Sequence, residues 1–194
     1  MASKIKVDQL ETADGSGTIA LQNQLSGMTT ASLPALGSAQ MPTGSVLQVV
    51  SSTKTDTASF SGIDTWHQSG LSVTITPSSS SSKILITGFV SVGNSTATAG
   101  MSVQLRRGTG TSIGEGDVAG SRSRGHSETD TRPYAARSNP INYLDSPGTT
   151  SAVTYHAYLR SGSNTLYLNM DGENSTGSNH RSLVSTLTAM EIAG

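Results

Sequence analysis

The densest chemistry in the chain lies between Gly120 and Ser138, "GSRSRGHSETDTRPYAARS", where four arginines, a histidine, two acids and a tyrosine crowd together. A guanidinium offers planar, bidentate donors that match carboxylates and paired hydroxyls, and a tyrosine adds a flat apolar face with a polar tip. That combination suits recognition of a sugar or a protein partner. The candidate receptor-binding set is Arg122, Arg124, His126, Asp130, Arg132 and Tyr134. The stretch shows no strand period and is long for a loop in a compact domain, which points to function or to an intersubunit contact. Interchain ion pairs, or a plain solvated loop, would use the same residues. Trp66 with His67 is a second candidate contact point.

Other chemistries find little support. The four histidines are far apart, none has a second ligand at metal-site spacing, and there is no cysteine to supply a thiolate, a thiol nucleophile or a disulfide. Gly108–Gly120 is rich in glycine, but no helical pattern follows it, so it reads as a hairpin with bulges and not as a phosphate loop. Asp171–Asn179 superficially resembles a calcium loop yet lacks oxygen ligands at positions 1, 3 and 5 followed by glycine at 6. With so many serines, one near a histidine and an aspartate is expected by chance. Paired carboxylates could be drawn from Glu115, Asp117, Glu128, Asp130, Asp145 and Asp171, but one Trp and two Phe leave few platforms for a sugar-cleaving site. The expectation is a protein that is not an enzyme, with no catalytic residues, no metal and no cofactor.

The elements that must position these residues are written in short alternations. Leu71, Val73 and Ile75 alternate with Ser72, Thr74 and Thr76; Met101, Val103 and Leu105, and then Val153, Tyr155, Ala157 and Leu159, repeat the period of two. Lys83–Val92 puts Ile84, Ile86, Val90 and Val92 on one face and Leu85 and Phe89 on the other. Further strands are expected at Ser45–Ser51, Thr165–Met170 and Ser182–Ala193. Between Pro77 and Lys83 run five serines, which read as a soluble connection between neighbouring strands. Ser and Thr together number 58, while charged residues are 13% and the net charge is −1. This is an all-β composition, and seven strands over residues 45–194 fit an antiparallel β-sandwich or jelly roll. Residues 1–25 form a short β segment too small for its own core, and 26–44 a linker. The near-neutral balance argues against nucleic acid, the lack of a long apolar run against membrane insertion, and no signal peptide is visible. A sturdy chain without cysteine calls for oligomerisation.

The segments "MASKIKVDQLETADGSGTIALQNQL", "GLSVTITPSSSSSKILI" and "STLTAMEIAG", with "VQLRRGTGTSIGEGDVAGSRSR" and "LDSPGTTSAVTYHAYLRSG" between them, resemble bacteriophage tail-fibre and related virion appendage proteins, particularly of viruses of cyanobacteria and marine bacteria. The resemblance covers most of the chain apart from the linker. It implies a homotrimer on the virion, attached to other virion proteins through residues 1–25, with an outer β domain contacting host surface glycan. The chain lacks the long shaft of many such fibres. That departure leaves a capsid decoration protein or head fibre as the alternative.

Overall fold

The computed structural model describes residue 37 and residues 40–95, 100–129, 135–162, 165–173 and 175–194. The expected attachment segment, most of the linker, and Asp130, Arg132 and Tyr134 lie outside the described residues. Gly37–Gly194 is one compact unit. Its strands are β1 (Val46–Lys54), β2 (Ala58–Phe60), β3 (His67–Ile75), β4 (Lys83–Asn94), β5 (Met101–Arg107), β6 (Thr111–Ile113), β7 (Ser127–Thr129), β8 (Ala136–Asp145), β9 (Val153–Ser161), β10 (Leu166–Leu168) and β11 (Ser185–Ile192). No described helix is long and apolar enough to cross a membrane.

All pairings are antiparallel and build two sheets. The first runs β1-β11-β4-β8, with β10 and β2 continuing the β11 side of β4 beyond Phe89. The second runs β3-β9-β5, and β5 ends against β7 at Met101–Val103 and β6 at Leu105–Arg107. The long strands alternate between the sheets in chain order, so every long connection crosses the sandwich. This is a jelly roll, as the alternations predict.

The core lies between the inner faces. Leu71, Val73 and Ile75 on β3 meet Ile84, Ile86, Val90 and Val92 on β4, Met101, Val103 and Leu105 on β5, and Leu187 and Ala189 on β11, all at most 2% exposed. With aromatics scarce, Tyr155 is the largest fully buried side chain. Its hydroxyl donates to Asp145 Oδ2 at 2.8 Å, and Arg107 Nε lies 3.6 Å from the same oxygen. This buried cluster joins β9 and β5 of one sheet to β8 of the other. Burial, and then the neighbouring carboxylate, push the Tyr155 phenol well above its ordinary range.

Two expectations need correcting. Ala136–Ser138, expected to end the arginine-rich loop, instead begin the ten-residue strand β8, and Ser127–Thr129 within that loop form β7. Pro140 hid the strand from the sequence. β8 is an edge strand, and there a residue without an N–H is tolerated. The serine tract also joins no neighbouring strands: β3 and β4 belong to different sheets, so it arches between them. The arch is tied down at both ends. Ser78 donates its N–H and its hydroxyl to Glu191 Oε1, each at 2.7 Å, while Gln48 Nε2 holds Glu191 Oε2 at 2.6 Å. Ser81 Oγ donates to Gly194 O at 3.2 Å.

Candidate functional site

Met101, Val103 and Leu105 face the core, so the alternate residues Ser102, Gln104 and Arg106 must face outward on the second sheet. They are nevertheless largely covered, because the chain from Gly114 to Gly125 folds back over them. Gln104 is 4% exposed and acts as the hub. Arg106 Nε donates to Gln104 Oε1 at 2.7 Å, and its guanidinium lies 3.9 Å from the centre of the Tyr158 ring. Gln104 Nε2 in turn donates to Glu115 Oε2 at 2.8 Å and to Arg124 O at 3.1 Å. Arg124 closes the circuit, pairing Nη2 with Glu115 Oε1 at 2.8 Å and donating Nε to Gly116 O at 2.7 Å.

His126 fastens the loop to the other sheet. Its Nδ1 lies 2.9 Å from Gly114 O, which can only accept, and its Nε2 accepts the Asn142 backbone N–H at 3.1 Å. These partners select the neutral tautomer protonated on Nδ1. Gly114 makes the approach possible: its φ is +62°, and a Cβ there would lie 2.6 Å from Tyr143 Cδ2 and 3.0 Å from His126 Nδ1. The glycine-rich run is thus a β5–β6 hairpin followed by a covering loop, in keeping with the hairpin expected of it.

Over this scaffold lies a pocket of about 300 Å³, lined by Asp117, Arg122, Ser123, Arg124, His126 and Glu128 among others. Arg122 and Asp117 are exposed, and among the described residues neither side chain has an ion-pair or hydrogen-bond partner. The structure therefore brings three of the six candidate residues to one pocket but gives them different tasks. Arg124 and His126 are engaged in holding the loop, whereas Arg122 has no side-chain partner among the described residues. Sequence reasoning missed Gln104, Glu115 and Asp117 as members of this site. The first two are joined to the loop by pairing that no linear spacing reveals. Trp66, the second candidate contact, is half-buried, and the His67 ring stacks on Phe60 with centroids 5.5 Å apart.

The Asp171 loop carries the other close histidine–acid grouping. His180 Nδ1 lies 3.1 Å from Asp171 Oδ2, its Nε2 lies 3.4 Å from Glu173 Oε2, and Asp171 also accepts the N–H groups of Glu173 and Arg181. With a carboxylate at each ring nitrogen, the imidazole has none left to activate a nucleophile. It clamps the loop before β11.

No family model matches the chain, and no curated protein matches it. Among solved structures, the VP2 subviral particle of infectious bursal disease virus is similar at a TM-score of 0.42 and 13% identity, covering 82% of this chain and 46% of that one. The Gx strain of the same virus gives a TM-score of 0.42 and 15% identity over 84% of this chain and 42% of that one. The chain spans less than half the length of these neighbours. A likeness at this level leaves the function to be argued from the residues themselves.

Proposed function

We propose that this protein is a virion structural protein, a short trimeric tail fibre or receptor-binding appendage whose outer β domain contacts a glycan on the host cell surface. The observation that carries the reading is the pair Arg122 and Asp117, without a side-chain partner among the described residues and lining a polar pocket whose loop is held by Gln104, Glu115, Arg124 and His126. A held loop with unpartnered donors and acceptors lining the pocket is what hydrogen-bonded recognition of sugar hydroxyls or carboxylates needs, because little ordering cost remains at binding. The resemblance of the sequence to phage fibre proteins supports the virion setting. In this reading residues 1–25 attach the subunit to other virion proteins.

The test is adhesion of the purified full-length chain to an array of bacterial surface polysaccharides, comparing wild type with Arg122→Ala/Asp117→Ala. Wild type should bind at least one polysaccharide, and the double variant should bind it at least tenfold more weakly with an unchanged melting temperature. Equal binding by the two proteins would remove the pocket from the reading. Absence of adhesion, together with binding to phage capsids stripped of the chain, would replace the fibre by a capsid decoration protein.

A further inference from the structure

The two outer faces of the sandwich are treated differently. On the second sheet the chain's own loop covers Ser102 and Gln104 of β5, as described above. No described residue roofs the first sheet, and its registers place Val49 opposite Met190, Met190 opposite Leu85, and Leu85 opposite Leu144. Directly opposed residues on one face are in side-chain contact. These four therefore form one apolar row across the full width of the sheet, with Val49 56% and Leu144 48% exposed at its two ends. Val46, 51% exposed, and Ile192 extend it along the next row, and polar but uncharged Ser51, Thr188, Thr87 and Asn142 flank it on the other side. Among the described strand residues that point outward here, Lys83 alone is charged. Every other charged residue described lies off these outward strand positions.

We infer that this face is an interface with a second copy of the same chain. An uncharged face meets a second copy without opposing like charges, and its mixture of Val, Leu, Met and Thr matches the charge-depleted centre of subunit contacts. Size agrees as well. Four strands spaced about 4.8 Å and some nine residues long at about 3.3 Å each give roughly 570 Å² in projection. With side-chain relief this nears the roughly 800 Å² each partner contributes to a standard interface. Association through the β8 edge is blunted, since Pro140 lacks an N–H and His126 already takes the Asn142 N–H. This inference stands apart from the glycan pocket, which lies on the other sheet.

The experiment is the native mass of the full-length chain by sedimentation, for wild type, for Val49→Glu/Leu144→Glu and for Ile63→Glu. Ile63 is 63% exposed and lies off this face in the β2–β3 connection. Wild type and the Ile63 variant should sediment as the same oligomer. The paired variant should fall to the 19.9 kDa of one chain while keeping its β circular dichroism. Because the chain has no cysteine, a second arm covers the case in which the charged variant fails to fold. At least one of Val49→Cys and Leu144→Cys should give covalent dimers under mild oxidation, and Ile63→Cys should not. A monomeric wild type, as expected if residues 1–36 or another protein cover the face, overturns the inference. So does full oligomeric mass in a folded paired variant, or crosslinking at Ile63→Cys equal to that on the face.

Discussion

Glu191 has no exposed surface, yet its carboxyl sits below the ordinary carboxylate range. Burial acts to raise it, but the bonds from Gln48 and Ser78 stabilise the charged form and outweigh that. Its folded value therefore lies below the 4.5 expected of the unfolded chain. Its contribution to stability is complete above about pH 4.5 and is lost as pH falls through the folded value. Glu191→Gln should thus melt below wild type at pH 7, with the gap closing as pH is lowered towards 3; a gap of constant size would mean that the charge is not what the three donors hold. The alternation of Leu187, Ala189 and Glu191 made the position legible as inward-facing, but not how a carboxylate could sit there. Its donors come from β1 and from the serine arch, 143 and 113 residues away along the chain. The receptor-binding set shows the same divide. The clustering of Arg122, Arg124 and His126 marked the correct loop, whereas only the fold separates the arginine that is tied from the one without a partner among the described residues.

At the scale of elements, strands with clean alternation were legible, down to the three-residue β10 within Thr165–Met170, and the other short or interrupted ones were not. Leu71–Ile75 and Val153–Leu159 declare their inner faces because a period of two is visible over that length. β2, β6 and β7 have three residues each, too few to show any period, and exist because β10 and β5 leave them an edge to join. β8 was obscured by Pro140 and by the arginine-rich run before it. The serine tract was legible as a connection, but its target was not, since serine can bond to almost anything. Its members are unequal. Ser78→Ala removes a hydroxyl bond to a buried carboxylate and should cost about 1.5–3 kcal/mol. Ser80→Ala, exposed and with no side-chain hydrogen bond given by the structure, should lie within about 0.5 kcal/mol of wild type. Urea titrations of the two variants decide whether the arch fastens the sandwich or merely bridges it.

For the whole molecule, the Tyr155–Asp145–Arg107 cluster is a polar joint between the two sheets, as is the buried bond from Asn94 Nδ2 to Ser161 Oγ at 3.1 Å. Tyr155→Phe leaves Asp145, 5% exposed, without its hydroxyl donor, and should lower stability by about 1–3 kcal/mol. The urea midpoint should shift with an unchanged slope, because both sheets unfold together; a changed slope or a second transition would show that they melt separately. The strand order has a further consequence, for synthesis. β1 is among the first parts of the sandwich to leave the ribosome, yet its strand partner, Ser185–Ile192, is among the last, and β4 needs the same segment along half its length. Until Ile192 has been made, β1 waits unpaired and β4 lacks its neighbour on that side. Folding of the sandwich is therefore deferred until β11 has been made and proceeds through contacts distant in sequence, which makes it slow. A nascent chain halted before β11 displays bare strand edges, a natural mark for chaperones and proteases.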